Sequence, residues 1–333
     1  MALVKLYDAS DKYSMFSCRY ITDKDSQTEG QQLHNELTLA QSGKKASKQL
    51  VTMAAADHLC ASADVLNHGS GKDKLLVYGR KDDAVAEEMV LSIQGYLLKT
   101  KLPPITKESD IAQTKVVHTE QYVHIGGLAD PLFDQGAVAV LAIHQFLESR
   151  LGSGSLQDMD VKREQGHIVL DFHNRYLTPR SEAAVTSIIP FPNDYDPRHI
   201  LQSRVTDEVF TADNAVQFYE RVKLDGSSCS KYQFKQSHPT ALSVGQLVEI
   251  QTSFAVVPRG KKQYKLINKL QSICVLDRSI ENEINQEHIQ AALRKTSPTQ
   301  KMKWNVGYEE DDSEVEGARE DVKHMWINRS ESP

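Results

Sequence analysis

The segment Leu247-Val248-Glu249-Ile250-Gln251-Thr252-Ser253-Phe254-Ala255-Val256-Val257, the turn-like Pro258-Arg259-Gly260-Lys261-Lys262, and then Gln263-Tyr264-Lys265-Leu266-Ile267-Asn268-Lys269-Leu270-Gln271-Ser272-Ile273-Cys274-Val275-Leu276 read as two strands joined by a short connection. Both arms are β-like, and a side-chain period of two sets Val248, Ile250, Phe254 and Val256 on one face of the first arm. In the second arm the same period groups Tyr264, Leu266, Leu270, Cys274 and Leu276. A long antiparallel hairpin is expected, as part of a small sheet or barrel.

Outward from this hairpin, Val216 to Val222, Lys231 to Phe234 and His167 to His173 also read as strands, the last with Ile168, Leu170 and Phe172 on its buried face. Residues 281–294 read as a short helix. Toward the amino terminus the signals are more mixed. Residues 47–66 carry Val51, Ala55, Leu59 and Leu66 at helical spacing, and Asn67-His68-Gly69 supplies a stop. Leu75 to Tyr78 reads as a strand, followed by a helix capped by Asp82 or Asp83 with Val85, Met89, Ile93 and Leu97 on one face, ended by Pro103-Pro104. Residues 116–125 read as a strand and 137–151 as a helix, after which Gly152-Ser153-Gly154-Ser155 is the clearest break. Leu3 to Tyr7 and Tyr13 to Ile21 are weaker strand candidates.

The expected fold class is therefore mixed α/β (α+β): a strand-and-helix region over 1–155, a strand-rich module with a basic hairpin over 156–296, and an acidic tail over 297–333. The 333-residue length suits two subdomains, and 40% hydrophobic residues suffice for a sizeable core. The longest nearly apolar stretch, Ala137 to Ile143, is far shorter than the roughly 20 residues that span a bilayer, and no signal-peptide pattern follows Met1. A soluble protein of the cytoplasm or nucleus with no membrane partner is expected. Cys18, Cys60, Cys229 and Cys274 are scattered without a Cys-x-x-Cys pair, which argues against a disulfide framework or zinc knuckle and for buried thiols.

Net charge becomes informative once it is divided along the chain. Residues 1–217 carry 22 Lys+Arg against 29 Asp+Glu, residues 218–308 carry 14 against 7, and residues 309–321 hold eight acids and one base. The overall charge of −6 thus hides a basic module followed by an acidic run. With so few apolar residues that run is expected to be disordered, either as a solubilising extension or as a competitor for the basic module. Val322 to Ile327, with Met325 and Trp326, forms a small apolar island beyond it.

Three constellations bear on function. Gly69-Ser70-Gly71-Lys72 lacks the first glycine, the hydroxyl residue and the strand-to-helix context of a phosphate loop, so it reads as a solvated turn. On residues 116–125, His118, Glu120 and His124 share a face at period two, as do His167, Asp171 and His173 on the later strand. If those strands are neighbours, the six residues could hold a divalent metal such as zinc or iron, giving a metal-dependent enzyme; a merely polar strand face accounts for them too. No cofactor is otherwise indicated. The third constellation is the hairpin, where Arg259, Lys261, Lys262, Lys265 and Lys269 cluster about Tyr264. Cations neutralise phosphates and aromatic faces stack bases, so the cluster suits nucleic acid or an acidic protein, while lysines on a sheet edge also guard against aggregation. Hydrolase elbows, His-Glu-x-x-His helices and dinucleotide glycine patterns do not occur.

Over residues 188–279 the runs Ile189-Pro190-Phe191-Pro192, Phe210-Thr211-Ala212-Asp213-Asn214-Ala215-Val216-Gln217-Phe218-Tyr219-Glu220, Val244-Gly245-Gln246-Leu247-Val248-Glu249-Ile250-Gln251-Thr252-Ser253-Phe254 and Ser272-Ile273-Cys274-Val275-Leu276-Asp277 form a further pattern. This pattern resembles uncharacterised, multi-copy proteins of mushroom-forming (basidiomycete) fungi. The resemblance covers under a third of the chain, and Gln246 stands where that family would place an aspartate. It implies a lineage-restricted family and carries no activity over to any residue. The sequence reading is accordingly an interaction protein with a basic β module, with the metal enzyme as the alternative.

Overall fold

The computed structural model describes residues 27–43, 45–68, 73–79, 86–164, 166–224, 232–259 and 263–295. Helix α1 is Gln27–Ser42, α2 Ala56–Ser62, α3 Pro131–Leu151 and α4 Ser279–Lys295. The strands are β1 Ala63–His68, β2 Asp73–Tyr78, β3 Leu91–Lys101, β4 Glu120–Gly126, β5 Arg163–Glu164, β6 His167–Arg175, β7 Thr178–Pro179, β8 Glu208–Val209, β9 Gln217–Lys223, β10 Tyr232–Gln236, β11 Leu247–Arg259 and β12 Gln263–Asp277. The fold is mixed α+β, as the residue patterns indicate.

The main sheet runs β1-β2-β11-β3-β4-β6-β12-β9-β10, and β11 also pairs with β12. That extra pairing closes β3, β4, β6, β12 and β11 into a five-stranded barrel inside the larger sheet. All its neighbours are antiparallel except β6 and β12, which run parallel through a join at Lys269 and His173. The register fixes what fills it. Ile93 faces Ile250, Leu97 faces Ile125, Ile125 faces Leu170, Val123 faces Phe172 and Ile250 faces Ile273 across successive strand pairs, and every one of these side chains is buried. Burial of the inward face along each strand supplies the hydrophobic stabilisation that closure requires.

Residues 91–98, expected as part of a helix, form β3. Leu91 through Leu98 are all buried, with the barrel interior on one side and α1 on the other, so even the polar side chains Ser92 and Gln94 of the outward face are covered. Met89, Ile93 and Leu97 satisfy helical spacing, while Leu91, Ile93 and Leu97 also keep the period of two, and tertiary pairing decides between them. Residues 47–66 divide into short 3₁₀ turns, α2 and β1 rather than one helix, and α1 carried no signal that the sequence reading recognised. The proposed strands within residues 1–26, the cap at Asp82 or Asp83, the Gly69–Lys72 turn and the acidic tail all lie outside the described residues.

Helix α3 is set against the barrel by its start. The Asp130 carboxylate accepts hydrogen bonds from the backbone N–H groups of Leu132 and Phe133 at 2.8 and 3.2 Å, and Pro131 occupies the first turn, where its missing N–H costs nothing. Phe133 then lies on the backbone of Gly127, where a Cβ would come 2.2 Å from the ring. Only glycine permits that approach of helix to strand.

On β12 the partner of Gln251 is Ser272 and the partner of Thr252 is Leu270, so Gln271 is an extra residue. This bulge reverses which side chains point inward. Leu266 and Leu270 face the interior before it, and Ile273 and Val275 after it, while Cys274 turns to the opposite side from Tyr264, Leu266 and Leu270. The single-face grouping of the second arm is corrected accordingly. Cys274 is buried, which pushes its thiol up to about 12, whereas Cys60 is exposed on α2, contrary to the expectation of burial; Cys18 and Cys229 lie outside the described residues.

No domain boundary falls at residue 155. β3 and β4 precede it, β6, β11 and β12 follow it, and Ser155 itself accepts a hydrogen bond from the Tyr264 N–H at 2.8 Å. The first compact unit continues to Gln286, and its last turns bury Ile280 and Ile284. The second unit begins at Glu287, and its described part is the end of α4. Among the described residues no helix is long and apolar enough to cross a membrane.

Candidate functional site

The barrel has two kinds of outer face. On β3 the outward side chains Gln94 and Tyr96 are almost wholly buried, and α1 contributes Gln32 within 3.4 Å of the Tyr96 hydroxyl. On β4, β6 and the first half of β12 the outward side chains Tyr122, His124, Asp171, His173 and Lys269 are only partly buried. The strand pairing lines them up in rows. Lys101 of β3 stands opposite Tyr122 of β4, Tyr122 opposite His173 of β6, and His173 opposite Lys269 of β12. A parallel row runs Lys99, His124, Asp171. Both constellations read from the sequence thus meet on one face, because residues directly opposite each other in a sheet share a side.

Of the six histidine and carboxylate positions, His173 and Glu120 pair with each other, while Asp171 and His124 lie against Lys162 and Glu164. His173 Nδ1 lies 3.1 Å from Glu120 Oε2, and this hydrogen bond, aided by Lys265 and His118 nearby, holds the Glu120 carboxyl below its usual range. Asp171 Oδ2 accepts from Lys162 Nζ at 2.9 Å, which keeps Asp171 low although burial works the other way. Burial pushes the His124 imidazole down to about 4, so it is neutral at pH 7, with Nδ1 3.7 Å from Glu164 Oε1. His118 sits on a 3₁₀ turn, Val116–His118, ahead of the strand, and His167 opens β6. The strands are neighbours as the metal reading requires. Among the described residues, however, no three His, Cys, Asp or Glu groups are placed to hold a metal ion, so the convergence it called for is not seen.

The hairpin residues divide as well. Arg259 is exposed at the end of β11, and Lys261 and Lys262 lie outside the described residues. Lys265 shares the outer face and acts on Glu120. Lys269 is only 12% exposed, with Nζ 3.5 Å from Asp213 Oδ1, so its charge is already matched. Tyr264 points to the other side. It packs against the core while its backbone bonds to Ser155 and Gln157, so it is no stacking platform for a base.

Three contributors were missed by the sequence reading: Lys99, Lys101 and Tyr122. The Lys99 ammonium lies 5.8 Å from the Tyr122 ring centroid, and the Tyr122 and His124 rings are 5.4 Å apart. Among the described residues Lys99, Lys101, Arg259 and Lys265 have no carboxylate within 4 Å. The alternation Leu98-Lys99-Thr100-Lys101 was their signal, masked by the helical reading of the residues before it. Beside the face a cleft of about 240 Å³ opens between α3, residues 157–162 and β6, below the size that encloses a drug-sized ligand. Its His144 is occupied, with Nε2 2.8 Å from the Gln157 carbonyl.

No protein-family model matches the chain, and no curated protein matches it.

Proposed function

We propose that the outer face of the barrel, from Lys99 and Lys101 across Tyr122 and His173 to Lys265 and Arg259, binds nucleic acid through its phosphate backbone. One observation carries the reading: on adjacent strands, cations that no carboxylate engages within 4 Å among the described residues flank an aromatic pair. Cations of this kind displace the counterions of phosphates, and a ring beside them offers a stacking surface that any base satisfies. The acids on the same face are already engaged, Asp171 by Lys162 and Glu120 by His173, so they repel a polyanion less than their number suggests. Strand order adds weaker support. Five-stranded Greek-key barrels of the OB type bind oligonucleotides on the face of their second and third strands and at the turn joining the fourth and fifth. Here those parts are β4, β6 and the β11–β12 turn, although topology alone assigns no function.

The test is anisotropy of labelled single-stranded and duplex oligonucleotides titrated with the whole protein, with an acidic polypeptide as competitor. Non-specific affinity in the range of about 10⁻⁴ to 10⁻⁶ M is expected at physiological salt. Replacing Lys99, Lys101 and Lys265 together by Ala should weaken it at least tenfold at low salt. Absence of binding at low salt would end the proposal. Equal displacement by the acidic polypeptide would move the reading to an acidic protein partner.

A further inference from the structure

We propose that β10 is an interface through which two copies of this chain pair edge to edge, antiparallel, about a two-fold axis at Phe234. β10 ends the main sheet and pairs with β9 alone, so among the described residues its second edge has no strand partner. All five of its residues are exposed, Tyr232 at 47% and Phe234 at 60%. Strand β1, at the opposite end of the sheet, is half-buried over Asp64 to Leu66. Natural proteins blunt exposed edges with charges, prolines or bulges, and β10 has none of these devices beyond Lys235.

Its hydrogen-bonding pattern defines the register. The Ser237 N–H donates to the Phe218 carbonyl at 2.9 Å, and those residues continue the β9–β10 register in which Phe234 faces Arg221. In an antiparallel ladder, bonded and non-bonded pairs alternate. Gln233 and Lys235 therefore direct their backbone groups at β9, and Tyr232, Phe234 and Gln236 direct theirs at the open edge. A second copy centred on Phe234 sets Phe234 opposite its own copy and Tyr232 opposite Gln236, all outward-bonding positions. The same operation puts Lys235 opposite Gln233, so no like charges oppose each other. The edge is thus complementary to itself, as a two-fold contact requires. It is also held in place: the Arg221 guanidinium lies 4.6 Å from the Tyr232 ring centroid, and Arg221 is bidentate to Glu36 of α1. Such preorganisation lowers the cost of association.

Sedimentation equilibrium of the full chain tests this. A reversible dimer with a Kd on the order of 10–1,000 μM is expected, at the small, transient end of interfaces. Phe234→Lys and Phe234→Glu should each weaken dimerisation at least tenfold without unfolding an exposed site, and an equimolar mixture of the two should dimerise again, because residue 234 meets itself. A wild-type chain that stays monomeric at about 1 mM overturns the proposal. So does a Phe234→Lys variant that dimerises like wild type, or a mixture of variants that fails to recover.

Discussion

Lys265 and Ile273 stand on the same strand, β12, in opposite surroundings. Lys265 projects half-exposed from the barrel's open face beside Glu120, whereas Ile273 is wholly buried inside the barrel against Ile250. Both are odd-numbered, so an unbroken strand would have put them on one side. The extra residue at Gln271 separates them, turning a surface-forming half into a core-forming half. A single strand can thus supply the closing wall of a barrel and the cations of its outer face. The lesson is that period-two patterning must be read piecewise wherever a bulge intervenes.

Deleting Gln271 attacks the comparison most directly. Without it, Ile273 and Val275 would turn outward and Ser272 and Cys274 inward, while the Gln271 Nε2 bonds to Ser253 Oγ and Glu88 Oε1 would be lost. Loss of the cooperative thermal transition is expected by calorimetry, and a deletion variant that melts like wild type would refute the bulge's role. Ile273→Ala should cost about 2–5 kcal/mol in urea denaturation, as burial without room to collapse dictates, while Lys265→Ala should stay within about 0.5 kcal/mol. Comparable losses at the two positions would mean that the halves of β12 do not differ as described.

The physical reasons for what the sequence revealed and concealed lie in the same elements. The first arm of the β11–β12 hairpin was legible because Val248, Ile250, Phe254 and Val256 keep strict alternation, both register shifts placing their extra residue on β12. β6 was legible for the same reason. β3 was not, because Met89, Ile93 and Leu97 also fall at helical spacing, and that spacing was read in place of the Leu91-Ser92-Ile93-Gln94 alternation. That misreading hid Lys99 and Lys101, and with them the row that joins the histidine strands to the basic hairpin. Side-chain partners were equally invisible: nothing local to Lys269 announces that Asp213 claims its charge.

A smaller effect separates the open face from the core by pH. His124 titrates at about 4 in the folded protein because burial disfavours its charged form, against about 6.5 in an unfolded chain. Between those values the unfolded state binds the extra proton. This contribution to stability is therefore complete above about pH 6.5 and is lost as pH falls toward 4. Thermal melts should show a shallower decline over this window for His124→Gln than for wild type. Parallel declines would indicate that the imidazole is solvated.

The central claim is that phosphate neutralisation by the face of β3, β4 and β12 drives binding, and the salt dependence of oligonucleotide affinity tests it most directly. For a single strand, log K should fall with log salt by about 0.7 for each phosphate contact. Replacing Lys99, Lys101 and Lys265 by Ala should flatten that slope by about 2, with the melting temperature retained. An unchanged slope in a folded triple variant would contradict the account.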